Sequence, residues 1–353
     1  MRPLTCRLLA ALILMSSFAY GSQAMASDAV AFMYHRFGES DFPSTNVTMK
    51  QFDAHLEHLD EAGYEVRSLE WILARLDAGE SLPDRVVAIT IDDAYLSIYN
   101  EAWPRLKARD WPFTIFIATD PVDEGHSAFL DWDQIREMHE QGVTIANHTA
   151  THDHLVRRLP GESSAEWRER VTSDINRAQQ RLIEELGDAP MLFAYPYGEY
   201  SEKLANLVRD LGYVAFGQHS GAIGPLSDRR ALPRFPMAEA FAEIGEFRSK
   251  AASRALPVIE LDPWDPVITD TSQAPLMRFK LAESDARLGE LSCFASRMGR
   301  IEVEEVEGET RVFTTQAPEP LPHGRSRYNC TAPSAEPGRF YWFSQQWLRL
   351  PGD

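Results

Sequence analysis

The sequence lacks several features that would direct it toward common classes of function. Its 353 residues include only three cysteines, Cys6, Cys293 and Cys330. No glycine-rich phosphate loop follows any of the predicted strands, so a nucleotide-binding fold has no support. The chain has fewer positively than negatively charged residues, with 35 Lys and Arg and 53 Asp and Glu, which give a formal net charge of -18. That balance argues against nucleic acid or an anionic membrane surface as the main partner.

A long apolar run is also missing at the amino terminus. The run from Leu8 to Tyr20 is shorter than the roughly 20 residues that a membrane-spanning helix needs. Arg2 and Arg7 precede it, and residues 24–26 have the small-x-small form that signal peptidase recognises. We predict a cleaved signal peptide over residues 1–26, a periplasmic or extracellular protein, and no membrane span after cleavage. A retained N-terminal anchor is the alternative.

Export bears on the cysteines, because disulfides form and persist in oxidising compartments. Cleavage would remove Cys6 and leave Cys293 and Cys330. We predict that these two cysteines form a disulfide bridge, with two buried free thiols as the alternative.

The chain is long enough for one large α/β domain and a smaller module. Its apolar share of 44% can fill a sizeable core. From residue 29 onward, strand-like and helix-like segments alternate through seven or eight βα units, and Thr48 with Gln51 and Asp131 with Gln134 have the spacing of helix-capping pairs. This order predicts a distorted (β/α) barrel over residues 27–256 rather than an open, doubly wound sheet.

The pattern changes near Pro257. Three further prolines punctuate the chain by residue 275, and helical periodicity disappears. Short strand-like segments follow, including an acidic stretch over residues 302–307 that is typical of a solvated edge strand. We predict a small β-sandwich domain over residues 257–353. Whether it binds glycan, contacts a partner or braces the barrel is left open by the sequence.

Three polar clusters each follow a predicted barrel strand, at the point where the apolar run ends. They are Asp92-Asp93, the segment from Asn147 to His152, and Tyr195-Pro196-Tyr197-Gly198. The carboxyl ends of parallel barrel strands meet at one face, where the loops build the active site. We therefore expect the three clusters to lie close together.

The aspartates and histidines are predicted to form a divalent-metal site. His148 and His152 are four residues apart, so one helical turn or a tight loop can place both imidazoles on one side. Two imidazoles and one carboxylate leave an open position on a zinc-like ion for water. If the strand continues through Asp92 and Asp93, their side chains cannot point the same way, because successive side chains of a strand alternate. We expect one carboxylate to bind the metal and the other to act as the general base.

Structural explanations are available for each cluster taken alone. The aspartates could form a turn or a helix cap, and the histidines could cap a strand or lie at the surface. The Tyr195–Gly198 turn could present backbone N–H groups to a developing oxyanion, but its composition is common in turns. The combination of an Asp pair and a His pair at two strand ends favours a metal-assisted hydrolase.

In this order and spacing, the three clusters resemble those of the polysaccharide deacetylase family, whose members are metal-dependent carbohydrate esterases. The resemblance covers residues 30–237. It includes Tyr34-His35-Arg36 and Trp132-Asp133, which resemble the exported bacterial branch of the family. Members have a distorted (β/α) barrel, in agreement with the strand count.

The resemblance implies a role for individual residues. Asp92 matches the family's catalytic base, and Asp93, His148 and His152 match its metal ligands. Tyr197 matches the residue whose backbone N–H helps to bind the oxyanion. The implied cofactor is a divalent metal, with Zn²⁺ as the first choice, and the implied substrate is an N-acetylated polysaccharide or oligosaccharide.

Three positions depart from the family's pattern. Ala94 stands where a glycine usually follows the Asp pair, a mild change if the backbone there has a negative φ. Ala194 stands where many members have an arginine that tethers the base. A Leu-x-His motif, where the family usually has its general acid, is missing near the end of the barrel. His219 is the nearest strand-end candidate for the acid, ahead of His154 and His35, and a purely supporting histidine is the alternative.

We therefore predict a metal-dependent hydrolase that removes N-acetyl groups from the N-acetylhexosamine units of a polysaccharide. The same chemistry could cleave O-acetyl esters of a similar polymer. The rival from another class is an inactive carbohydrate-binding barrel, which the missing acid histidine supports and the intact Asp and His clusters oppose. The polysaccharide, the native metal and the oligomeric state are left open by the sequence.

Overall fold

The structure is a computed structural model that describes residues 28–350. The predicted signal peptide, residues 1–26, lies outside the described residues. Within residues 28–350, every helix is too short or too polar to cross a membrane.

A curled sheet of parallel strands organises the first part of the chain. In chain order, the strands up to residue 255 are β1 (Ala29–Tyr34), β2 (Arg36–Phe37), β3 (Asn46–Val47), β4 (Glu65–Val66), β5 (Val86–Asp92), β6 (Thr114–Ile117), β7 (Thr144–Asn147), β8 (Leu192–Ala194), β9 (Val214–Phe216), β10 (Phe235–Pro236) and β11 (Arg254–Ala255). Seven of them lie side by side in the order β10-β1-β5-β6-β7-β8-β9, and β4 also pairs with β5.

The ends of this sheet approach each other through one short segment. Leu232 forms a parallel bridge with Phe216 of β9, and Phe235 of β10 pairs with Phe32 of β1. All strand pairs in the sheet are parallel. The predicted distorted (β/α) barrel is confirmed.

Helices cover the outside of the barrel. The α-helices within residues 28–350 are α1 (Met49–Glu61), α2 (Leu69–Asp77), α3 (Trp103–Lys107), α4 (Thr119–Asp123), α5 (Trp132–Glu140), α6 (Ser164–Leu186), α7 (Glu202–Asp210) and α8 (Ile244–Ala251). The predicted capping pairs are confirmed as reciprocal capping boxes at the starts of α1 and α5. A π-helical turn over Ile98–Ala102 leads into α3.

The barrel strands are buried on both faces, as expected for a parallel sheet that helices cover. Along β5, Val87, Ile89 and Ile91 pack in a cluster with side chains of α1, α3, α5 and α8. The alternate residues Val86 and Ala88 pack in a second cluster that draws side chains from α2 and from β1, β6, β7, β8 and β9. Only the barrel interior faces all these strands, so the same alternation directs the end of β5 inward at its last residue.

The carboxyl-terminal part is built from antiparallel strands. They are β12 (Val258–Asp262), β13 (Leu276–Leu281), β14 (Ser292–Ala295), β15 (Gly299–Ile301), β16 (Val303–Glu305), β17 (Val312–Gln316), β18 (Gly324–Pro333) and β19 (Phe340–Arg349). A five-stranded sheet has the order β11-β19-β18-β14-β15, and a four-stranded sheet has the order β12-β13-β17-β16. One apolar cluster contains side chains from both sheets, including Phe279 and Trp347.

The predicted small β domain is thereby confirmed, while its boundary at residue 257 stays a prediction. Strand β11 precedes that boundary and pairs with β19. The acidic stretch contributes β16, which lies at the edge of the four-stranded sheet. Cys293 and Cys330 stand opposite each other on β14 and β18 and form the predicted disulfide.

Candidate metal and catalytic site

The ends of several barrel strands bring the predicted site residues to one rim. β5 ends at Asp92, and β7 ends immediately before His148. β8 ends three residues before Tyr197, and β1 ends immediately before His35. The loops after these strands therefore share the face on which barrel enzymes place their chemistry.

Asp93, His148 and His152 form one compact cluster. Oδ1 of Asp93 lies 3.4 Å from Nε2 of His148 and 3.1 Å from Nε2 of His152. The three candidate ligand atoms all lie within 4.8 Å of one another. Burial alone would raise the pKa of Asp93, but the two imidazoles hold that pKa well below its usual range. The cluster thus combines an ionised carboxylate with two ring nitrogens directed toward it.

A backbone contact fixes which nitrogen of His148 faces the cluster. Nδ1 of His148 lies 2.7 Å from the carbonyl oxygen of Ala194. A carbonyl only accepts hydrogen bonds, so Nδ1 carries the proton and Nε2 presents its lone pair. Nε2 of His148 and Oδ1 of Asp93 are both buried without a hydrogen-bond partner. Two buried orphan acceptors that face each other fit a divalent cation between them.

The loops that carry these residues adopt unusual backbone conformations. Of the ten non-glycine residues with positive φ in residues 28–350, four lie in the three predicted clusters, namely Asp93, Thr149, His152 and Tyr197, and Ala94 directly follows one of them. Residues held in such sparsely populated regions cost free energy and concentrate at functional sites. The two histidines therefore reach the same side through a tight loop, one of the two arrangements that their spacing allowed.

The backbone conformation at Ala94 differs from the one that would make the substitution mild. The substitution for glycine was expected to be mild with a negative φ, but φ is +53°. The left-handed region costs a residue with a Cβ atom roughly 1–2 kcal/mol. Ala94 is fully buried, and its carbonyl accepts a hydrogen bond from the Leu130 N–H at 2.8 Å. The surrounding structure therefore holds the alanine in a conformation better suited to glycine.

Asp92 lies in the barrel interior, where its partner is an arginine. Its two carboxylate oxygens accept hydrogen bonds from Nη1 and Nη2 of Arg234 at 2.7 and 2.8 Å. Both side chains are completely buried. Arg234 also donates to the Gly217 carbonyl and to Oγ1 of Thr90, and its guanidinium lies over the Phe116 ring. The two aspartates have different partners, because β5 ends at Asp92 and the backbone turns to a left-handed conformation at Asp93.

The electrostatics of Asp92 follow from this pairing. Burial alone would raise the pKa of Asp92, but the charge of Arg234, with smaller contributions from His148 and His35, outweighs burial and lowers the pKa. A bidentate guanidinium is well suited to hold a carboxylate ionised and oriented. Asp92 is therefore an ionised carboxylate held in a fixed orientation next to the candidate metal ligands.

Sequence reasoning missed Arg234. The tethering arginine was expected near position 194, where this chain has alanine, and the structure supplies one from the segment just before β10. The available signal was a lone charged residue within the predicted strand Ala231–Phe235. Such a charge needs a buried partner when the strand forms part of a closed barrel.

The turn after β8 offers a free backbone donor. The N–H groups of Gly198 and Glu199 bond the carbonyls of Tyr195 and Pro196 at 2.8 and 3.1 Å. Within residues 28–350, no group accepts a hydrogen bond from the Tyr197 N–H. The Tyr197 ring lies beside His152, with centroids 4.6 Å apart. The predicted oxyanion donor thus lies beside the metal cluster with its N–H available.

The histidine candidates for the general acid lie in different surroundings. Nε2 of His35 is 4.0 Å from Oδ2 of Asp92. Burial lowers the pKa of His35, an effect that the carboxylates of Asp93 and Asp92 oppose. His154 stacks on the Tyr197 ring and places Nδ1 2.8 Å from Oε2 of the buried Glu199. His35 is therefore the acid candidate beside the carboxylate pair.

The structure does not bring His219 into this group. Its side chain lines a cavity of about 270 Å³ between the barrel and the β domain, and its ring contacts Tyr200. In the described part of the chain, no ion pair or ring contact joins His219 to the Asp and His cluster. Burial, followed by the charges of Arg327 and Arg234, lowers the pKa of His219 to about 3. The ring is therefore neutral near pH 7.

Comparison with known proteins agrees with the barrel fold described above. Residues 79–216 match the family model for polysaccharide deacetylases. This part of the barrel is similar to the polysaccharide deacetylase family. The Bacillus subtilis (strain 168) protein YxkH is 28% identical over 181 residues, which cover 51% of this chain and 61% of that protein.

A second curated relative and a solved structure are also similar to this chain. The Escherichia coli (strain K12) poly-beta-1,6-N-acetyl-D-glucosamine N-deacetylase is 26% identical over 211 residues, or 50% of this chain and 31% of that protein. The chain thus covers less than two thirds of the length of either curated relative. The solved structure of the Streptococcus pyogenes deacetylase PplD has a TM-score of 0.56 at 23% identity and covers 63% of this chain and 97% of that one, which supports the barrel fold.

Proposed function

We propose that this protein is an exported, metal-dependent hydrolase that removes N-acetyl groups from the N-acetylhexosamine units of a polysaccharide. The observation that carries the proposal is the adjacency of two groups at the barrel rim. An Asp-His-His cluster with unpaired ligand atoms lies next to a buried, ionised Asp92 that Arg234 holds in place. The names of the relatives support the reaction class, and the sequence of residues 1–26 supports export.

Asp93, His148 and His152 are the residues that would hold the ion. Three protein ligands with one carboxylate and two imidazoles are typical of catalytic zinc, which keeps a further position open. When bound, a divalent ion supplies Lewis acidity that polarises the acetyl carbonyl and acidifies water. The backbone carbonyl of Ala194 orients the His148 ring for this task.

Asp92 is the proposed general base. It takes a proton from the attacking water while the water oxygen forms a bond to the acetyl carbon. The Tyr197 N–H donates a hydrogen bond to the carbonyl oxygen as negative charge develops there. Arg234 keeps Asp92 ionised before the reaction and orients its carboxylate. The products are acetate and a free amine on the sugar.

The leaving amine needs a proton, and His35 is the proposed donor in place of His219. An amine must be protonated to leave, whereas a phenolate of low pKa leaves unaided. His35→Ala should therefore lower amide cleavage far more than cleavage of an activated aryl acetate. The matched variant His219→Ala should change neither rate selectively. A selective loss of amide cleavage in His219→Ala would return the acid role to that residue.

One assay tests the function as a whole. Purified protein is incubated with N-acetylglucosamine oligomers and with O-acetylated glycans, with and without added divalent metal, and loss of acetyl is followed by mass spectrometry. Metal-dependent loss from the N-acetylated oligomers alone supports the proposal. Loss from the O-acetylated glycans alone would make the protein an esterase, and loss from neither would favour a binding protein.

A further inference from the structure

The five-stranded sheet of the β domain contacts the turn that carries the proposed oxyanion donor. Nε2 of Gln346, on β19, donates a hydrogen bond of 2.8 Å to the Gly198 carbonyl. Nη1 of Arg325, on β18, donates to the Tyr197 carbonyl and to Oε1 of Gln218. Gln346 is 1% exposed, so this contact lies inside the molecule rather than on its surface.

The turn is in a conformation that needs external support. Tyr197 has a φ of 58° and Gly198 a φ of 66°, so two consecutive residues are left-handed. Tyr197 bears a side chain, and such a residue persists in this region only where its surroundings fix it. At Gly198, a Cβ atom would lie 2.5 Å from Cβ of Gln218. The turn is therefore pressed against the loop after β9 as well as held by the sheet.

Almost all backbone N–H and C=O groups of the turn have a hydrogen-bond partner. The N–H groups of Gly198 and Glu199 bond within the turn, and the carbonyls of Tyr197 and Gly198 bond the β domain. The Tyr197 N–H alone among these consecutive groups has no acceptor within the described residues. The Tyr197 N–H shares a planar peptide unit with the Pro196 carbonyl, which accepts the 3.1 Å hydrogen bond from the Glu199 N–H, so a turn held in place also fixes the direction of the Tyr197 N–H.

We propose that Gln346 and Arg325 are positioning residues, through which the β domain fixes the direction of the Tyr197 N–H in the active site. The proposal rests on the proposed function, since it assigns Tyr197 the oxyanion. It gives the β domain a part in catalysis that requires no contact with the substrate. Without the β domain, the barrel would still present the metal ligands and the base, but its oxyanion donor would be held less firmly.

The first test compares two glutamines. Gln346→Leu removes the donor to the Gly198 carbonyl, and Gln316→Leu removes a similar contact, from Nε2 of Gln316 to the Ala274 carbonyl at 2.7 Å, within the β domain. We expect kcat to fall about 10- to 100-fold in Gln346→Leu, because displacements of about 1 Å have effects of that size. KM and metal stoichiometry should stay near the wild-type values. Equal losses in the two variants, or none in Gln346→Leu, would overturn the proposal.

Arg325 provides a second route if Gln346→Leu does not fold. Its side chain is partly exposed, and Arg325→Met should lower kcat while leaving KM unchanged. Arg325→Lys keeps a donor and should recover part of the loss, which a general loss of stability would not predict. No difference between the Met and Lys variants would count against a positioning role.

Hydrogen–deuterium exchange separates this proposal from the proposed function. Amides of residues 195–199 should exchange faster in Gln346→Leu than in wild type and should be unaffected in Gln316→Leu. If wild type shows no hydrolysis, the proposed function fails, and exchange decides whether the sheet fixes this turn. Unchanged exchange in Gln346→Leu would show that the Gln346 contact does not fix the turn, whatever the activity of the variant.

Discussion

Asp92 and Asp93 are neighbours in the chain but lie in two regions of opposite character. On the inner side, Asp92 is fully buried and engages both nitrogens of a fully buried arginine. On the outer side, Asp93 faces two imidazoles and has an oxygen without a hydrogen-bond partner. Each oxygen of Asp92 therefore accepts a hydrogen bond from Arg234, whereas Asp93 has an oxygen with no hydrogen-bond partner in the described residues.

This difference shows how one dipeptide can serve two chemical tasks. Alternation along β5 directs Asp92 inward, and the left-handed backbone at Asp93 turns the next side chain toward the histidine loop. A base must keep its carboxylate free of the metal, whereas a ligand must give its oxygen to it. The four predictions below test this division, starting with the largest expected effect.

Loss of a ligand on the outer side should have the largest effect. His148→Ala removes one of three protein ligands, and metal binding and hydrolysis should both fall to background. Metal content after dialysis and acetate release measure the two effects. His126→Ala is the control, because His126 is exposed and pairs with Glu124 away from the cluster. Stoichiometric metal and unchanged turnover in His148→Ala would refute the site.

Loss of the base on the inner side should separate activity from metal binding. Asp92→Asn should retain the metal and lower kcat by roughly 10²- to 10⁴-fold, the usual contribution of general base catalysis. Asp93→Asn should instead lose the metal. Metal analysis and kinetics on both variants measure the division. Equal loss of metal in the two variants would show that Asp92 is a ligand and that the two sides are not distinct.

Breaking the buried ion pair should destabilise the inner side. Arg234→Met leaves Asp92 buried without a partner, which should lower the free energy of unfolding by about 3–5 kcal/mol. Arg234→Lys should lose less, because it keeps the charge but not the bidentate geometry. Denaturant unfolding gives the values. The double variant Arg234→Met with Asp92→Leu should regain much of the stability, and failure to do so would assign the loss to packing.

The smallest expected effect concerns His219, which lies outside the surroundings of both Asp92 and Asp93. The ordinary histidine pKa is 6.5, and burial lowers the pKa of His219 to about 3 in the folded protein. Between these values the unfolded chain binds a proton that the folded protein does not, so stability falls as the pH falls. From pH 6 to 4.5, this histidine should account for roughly 2 kcal/mol of that loss.

His219→Gln removes this titration and tests the direction. Its stability relative to wild type should improve as the pH is lowered from 7 to 4.5, as measured by denaturant unfolding at each pH. The exposed His126→Gln serves as the comparison and should follow wild type. A wild-type slope that persists in His219→Gln would assign the acid sensitivity to other buried histidines, among which burial lowers the pKa of His55 to about 4.

Much of the fold and part of the site could be predicted from local pattern. Alternating strand and helix segments predicted the barrel, and the capping pairs Thr48–Gln51 and Asp131–Gln134 located two helix starts. The two cysteines that remain after cleavage and the expectation of export predicted the disulfide. The polar clusters at strand ends were enough to expect one shared face, because parallel barrel strands all point the same way.

What the sequence by itself determined is the set of residues delivered to that face, since strand direction and side-chain alternation are local properties. Only the tertiary structure decided which distant groups complete the site. Arg234 reaches Asp92 across 142 positions of the chain, and Gln346 reaches Gly198 across 148. His219 lies three residues after the end of β9, and its ring lines a cavity beside the β domain. Such pairings depend on closure of the barrel and on domain contact, which no local periodicity records.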